Sequence, residues 1–216
     1  MFVYLSHLRA DVDVILVFKG TVPFMAIELL QNFDIEFTHA YYHDLESLFY
    51  VICWICTTYG GPNGKCRHER YIEDTNVHKW NVQDFSDKTL KDVAKLKYAF
   101  ASDKKQFRPE IEREFHKYFA PIFDFICRMR SCLFPSPMDP EMVSVMLAAM
   151  EGRKDPEGIR AYRNLCSSIP LKDRKPQMVF EELFDAIDEA REQLSEEHRL
   201  KDEYPPGAFL VFLIMT

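Results

Sequence analysis

The sequence predicts a mainly α-helical protein, and three observations carry that prediction. Phe occurs 18 times against 7 Gly, a balance rich in aromatic packing and poor in tight turns, unlike a turn-rich β-sandwich. Apolar residues recur at three- and four-residue steps through several long stretches. A run that is apolar all the way round, Leu48–Cys56, follows the polar approach Asp44-Leu45-Glu46-Ser47. Such a run is buried on every side, and carboxylates at its head suit the positive end of a helix dipole.

The elements are expected in this order. Val12–Phe18 is β-branched and apolar, as in a strand or a buried extended segment. Thr21–Asn32 opens with Pro23 and continues as a short helix with Met25, Leu29 and Leu30 on one side. His39–Tyr59 is the strongest helix, and Gly60-Gly61-Pro62-Asn63-Gly64 ends it and opens a polar loop to about Asn76. Lys88–Ala101 reads as an amphipathic helix. Pro109–Leu133 reads as one long helix striped by Ile111, Phe115, Phe119, Ile122, Phe123 and Ile126, stopped by Pro135-Ser136-Pro137. Short helices follow at Glu141–Met150 and Glu157–Cys166. The last clear helix, Pro176–Leu200, carries its proline in the first turn. No Pro/Gly/Ser-rich linker divides the chain, so one domain is expected.

The 216 residues carry a net charge of −7. That is a poor basis for non-specific nucleic-acid binding or for docking on an anionic membrane. The longest apolar runs fall far short of a membrane span. Met1–Ala10 lacks the pattern of a secretory leader. Six cysteines are too few for a disulfide scaffold at this length. An intracellular, reducing setting with free thiols is expected. Cys53-x-x-Cys56 with Cys66-x-His68 has superficial zinc spacing, but the first two lie in the apolar run and read as small buried thiols. No metal site is expected. His39 and His43 share a helix face and read as hydrogen-bonding residues near a helix start. Gly60-x-x-x-Gly64-Lys65 is one residue short of a phosphate-binding loop and follows a helix, so it reads as a turn.

One constellation is more specific. Gly20-Thr21-Val22-Pro23-Phe24-Met25-Ala26-Ile27-Glu28 is followed, sixteen residues after Glu28, by Asp44-Leu45-Glu46-Ser47-Leu48-Phe49-Tyr50-Val51-Ile52-Cys53-Trp54-Ile55. The order resembles the end of a protein-kinase activation segment followed by the buried central helix of the C-lobe. Its wording resembles the fungal-type protein kinase family. Trp80, Arg130 and Leu133-Phe134 also fit. The resemblance is dense over Gly20–Ile55 and sparser to Leu200. It implies a kinase-like C-lobe over residues 20–204, without the N-lobe. Residues 1–19 would be an N-terminal segment in which Asp11-Val12-Asp13 is a candidate remnant of the metal-binding Asp-x-Asp, and residues 205–216 an apolar tail.

The resemblance also implies roles. Thr21 matches the threonine that positions a substrate hydroxyl. Met25-Ala26-Ile27-Glu28 matches the Ala-Pro-Glu motif, which makes Glu28 a buried carboxylate with Arg174 as the best candidate partner. Asp44 matches the helix aspartate that holds the backbone of the catalytic loop. From the residues alone, Glu28 and Asp44 read as a surface carboxylate and a helix N-terminal acid. Full-length members of the family use ATP and Mg. Phosphoryl transfer needs a glycine-rich loop, a strand lysine, its glutamate partner, and catalytic and metal-binding carboxylates, and the glycine-rich loop, lysine and catalytic loop have no counterpart in this sequence. Three accounts follow: a fragment of a fungal-type Ser/Thr kinase inactive by itself, a pseudokinase C-lobe that binds a protein partner, and an unrelated helical binding protein. A lone C-lobe would expose the surface that meets the N-lobe, so a protein partner, the missing N-lobe or self-association is expected.

Overall fold

The computed structural model describes residues 21–33, 38–61, 65–135, 140–150, 155, 157–158, 161, 165 and 168–194. Among them the secondary structure is helical, with no β-strand beyond an isolated antiparallel bridge between Tyr59 and Cys66. The extended segment expected at Val12–Phe18, Asp11 and the apolar tail 205–216 lie outside the described residues.

A 3-10 turn, Val22–Phe24, leads into the short helix α1 (Ile27–Gln31). The long helix α2 spans Tyr41–Thr58. Its apolar centre is the middle of the core: Phe49, Tyr50, Cys53 and Cys56 are fully buried or nearly so. The His43 side chain starts it, with Nδ1 accepting from the Ala40 N–H at 3.0 Å. The expected polar loop contains a 3-10 turn at Glu69–Tyr71 and helix α3 (Asn76–Lys79), which Thr75 caps. Helix α4 (Asp87–Ser102) begins on Ser86 and buries Leu90, Val93, Ala94, Lys97, Phe100 and Ala101.

The long helix expected at Pro109–Leu133 is three elements. Helix α5 (Lys104–Glu114) starts on Asp103, whose carboxylate accepts from the N–H groups of Lys105 and Gln106, so Pro109 lies inside the helix. A 3-10 stretch, Lys117–Ile122, contains Pro121, and α6 is Phe123–Leu133. Two causes break the stripe. The His116 N–H is drawn to the Cys56 carbonyl at the end of α2, 2.8 Å away, and Pro121 removes a donor from a continuous α-helical ladder. Ile111, Phe115, Phe123 and Ile126 still face the core, which is why the periodicity survives the break.

Helix α7 is Pro140–Met150, and residues 157, 158, 161 and 165 are helical within the expected Glu157–Cys166 element. The last described helix, α8 (Pro176–Gln193), has its proline in the first turn and buries Val179, Leu183 and Ala186. Helix α1 packs on α4, α2 on α6 and α3, and α6 on α5 and α8. Trp80 is fully buried in edge-to-face contact with Tyr50 and Phe100, and Phe100 continues the aromatic chain to Phe107 and Phe49. Each edge-to-face pair adds about 1 kcal/mol to the area it buries.

Candidate functional site

Several residues singled out by the sequence lie in one region, where the Thr21–Gln31 segment packs against α2 and α4. The segment has weak local support. Neither Thr21 nor Ala26 caps the turn that follows it with a side chain, and a five-residue helix is far too short to persist alone. It is held by packing and by side chains from elsewhere. Val22, Met25, Ala26, Leu29 and Leu30 are buried, and Phe24 meets Trp54 of α2 edge to face.

Three polar anchors complete the attachment. Lys97 of α4, fully buried, donates to the carbonyls of Met25 at 2.6 Å and Val22 at 3.1 Å. Its ammonium also lies 4.0 Å from the Tyr50 ring centroid and 5.4 Å from that of Trp80, close enough for cation–π attraction. Glu46 of α2 accepts from the Ile27 N–H at 2.8 Å and from the Tyr50 hydroxyl at 2.8 Å. His43 meets Glu28 Oε2 through Nε2 at 3.0 Å. Because Nδ1 already accepts from Ala40, Nε2 carries the proton and donates.

Burial governs the electrostatics here. Desolvation pushes the Lys97 amine down to about 7, against the opposing pull of Glu46. Burial raises the Glu46 carboxyl, while its bonds from Ile27 and Tyr50 and the Lys97 charge work the other way. Burial holds the Tyr50 hydroxyl and the Cys53 thiol well above their ordinary values. These buried thiols are core residues with little thiolate character.

The residues read by resemblance have mixed placements. Thr21 is exposed at the start of the anchored turn, and its carbonyl accepts from the Phe24 N–H. Asp44 is in the first turn of α2 with its side chain 73% exposed, 3.5 Å from His39 Nε2. The expected Glu28–Arg174 pair is not made. The Glu28 side chain is 43% exposed and belongs to His43. Arg174, 2% exposed, pairs with Glu182 of α8 and reaches the Cys132 carbonyl at 3.4 Å. The physical reason is local: Glu182 is eight residues from Arg174, in the second turn of a helix that starts beside it. Arg174 still serves α2, because its carbonyl and that of Leu171 accept from the Tyr41 hydroxyl.

Sequence reasoning missed Glu46 and Lys97 as anchors. Lys97 had a legible signal: Leu90, Val93, Ala94, Lys97 and Ala101 share the buried face of α4, so a cation stands where the helical period calls for an apolar residue. Among the described residues no cluster of His, Cys, Asp or Glu has the makings of a metal site, and Glu28 and Glu46 are committed to His43 and Ile27.

Compared with known proteins, the chain matches the family described as fungal protein kinase over residues 12–56, a short region of its length. The match takes in the anchored segment and nearly all of α2, and it begins upstream of Gly20. No curated protein and no solved structure matches the chain.

Proposed function

We propose that this chain is the C-lobe portion of a fungal-type Ser/Thr protein kinase, one that does not transfer phosphate by itself. The observation that carries the reading is the coincidence of the family match with the anchored region. The matched residues 12–56 include the segment clamped by Lys97, Glu46 and His43 and the buried helix that receives it. A segment that must present a substrate hydroxyl needs a fixed backbone, since positioning and charge neutralisation are most of what phosphoryl transfer requires of a protein. Thr21 stands exposed at the start of that fixed turn.

A second reading, a pseudokinase lobe that binds a protein partner, is favoured by one observation. Phe180 and Phe184 are exposed one turn apart on α8, where aromatic side chains suit a protein interface. The test is direct. The purified chain with Mg·ATP and Ser/Thr peptides is expected to transfer no phosphate above background. Transfer that survives repurification would overturn the reading of a lobe without its catalytic half.

A further inference from the structure

We propose that Lys97 is the positioning residue of the Thr21–Gln31 segment: rooted in α4, it fixes the Val22–Met25 turn and so sets where Thr21 is presented. The inference goes beyond the kinase reading and needs only the geometry. Lys97 is more than 70 residues from the turn in sequence, yet two of its donors are spent on that turn's carbonyls. Its charge rests against the faces of Tyr50 and Trp80, which are themselves held in the aromatic core. Glu46 complements it from α2 by accepting from Ile27. The turn's carbonyls are therefore held by the N–H donors of Lys97, and the helix N–H that follows by the Glu46 carboxyl oxygen. A lysine that merely filled volume would have no need of these partners, because burying an ammonium is costly unless its donors are satisfied. The segment supplies no side-chain caps of its own, so the ammonium is what joins its backbone to the rigid body of α4.

Amide hydrogen exchange on the full chain tests this. In Lys97→Met, which keeps most of the side-chain volume, the amides of Phe24, Met25, Ile27 and Leu30 are expected to exchange on the order of 10- to 100-fold faster. Those of α2 and α6 should keep their wild-type rates. In Lys97→Ala, added n-propylammonium, which replaces the atoms removed beyond Cβ, should restore protection, and neutral n-propanol should not. Unchanged rates at the four amides would overturn the proposal. So would equal acceleration throughout α2 and α6, or equal rescue by propanol, since either would make Lys97 a filler of the core. Should neither variant fold, exchange of the wild type in rising sub-denaturing urea decides. The proposal requires the segment to open in its own event before α2, and opening only with global unfolding contradicts it.

Discussion

Lys97, Glu46 and Arg174 are charged side chains in or beside an apolar core, and each makes hydrogen bonds there, although Arg174 Nε is buried without one. Lys97 gives stability a pH dependence of definite sign. Its folded-state value lies near 7, against about 10.4 for an exposed lysine. Between those values the unfolded chain binds the extra proton, so stability rises with pH, by up to about 1.4 kcal/mol per unit. Cys53 and Cys56, raised by burial, act in the opposite sense once unfolded thiols ionise above about 8.5. Glu46 and Glu114, also raised, lower stability as pH rises only between the unfolded carboxylate range and their own raised values. Urea unfolding should therefore show stability increasing from pH 7 to pH 8.5 in the wild type, with the increase lost in Lys97→Met. A wild-type profile as flat as the variant's would contradict this assignment. Arg174 supplies a second residue-scale prediction. Arg174→Met removes a buried guanidinium together with its bonds to Glu182 and the Cys132 carbonyl and should cost about 3–5 kcal/mol. In double-mutant cycles Arg174 should couple to Glu182 and be additive with Glu28 to within about 0.5 kcal/mol. A larger coupling to Glu28 would restore the pair that the resemblance implied.

At the scale of elements, helix ends are tied by guanidinium groups, half-buried at Arg67 and buried at Arg130. Arg67 donates to the carbonyls of Thr57 at 2.7 Å and Glu114 at 2.6 Å, closing the C-terminal ends of α2 and α5 together. Arg130 does the same for α4 through the carbonyls of Ala101 and Ser102. A cation at a helix C-terminus satisfies orphan carbonyls and suits the dipole. Arg67→Met should lower the urea midpoint at constant slope, by about 2–3 kcal/mol of stability. A neutral result would show that the two helix ends are held by packing alone. The sequence made α2, α4 and α8 legible, because each keeps one apolar pattern from start to stop. It did not reveal the division of Pro109–Leu133, since the core-facing spacing of Ile111, Phe115, Phe123 and Ile126 continues across a break made by the bond from His116 to Cys56. That bond joins residues sixty apart, which no local pattern encodes. The anchored segment was half legible. Its wording drew attention to Thr21 and Glu28, while Lys97 and Glu46, which hold its backbone, act from distant positions.

Over the whole molecule, a continuous apolar core runs from Val22 to Leu183, with α2 through its middle. Several large apolar side chains remain outside it. Phe180 and Phe184 of α8 and Met142, Val145 and Met146 of α7 are exposed. Within each helix these side chains lie three or four residues apart, on one face, and exposed apolar surface favours association. Sedimentation velocity should show concentration-dependent self-association that weakens in Phe180→Lys/Phe184→Lys, and a monodisperse monomer at every concentration would contradict that expectation. No helix among the described residues is long and apolar enough to cross a membrane. On the function proposed above, these residues would form one part of a longer kinase; what the comparison itself gives is a match to the fungal protein kinase family over residues 12–56. The most direct test is to sequence the native transcript through the region ahead of Met1. The account predicts an in-frame segment encoding a glycine-rich loop, a strand lysine and a catalytic-loop aspartate. A transcript whose reading frame opens at Met1 would contradict it and leave the partner-binding reading in its place.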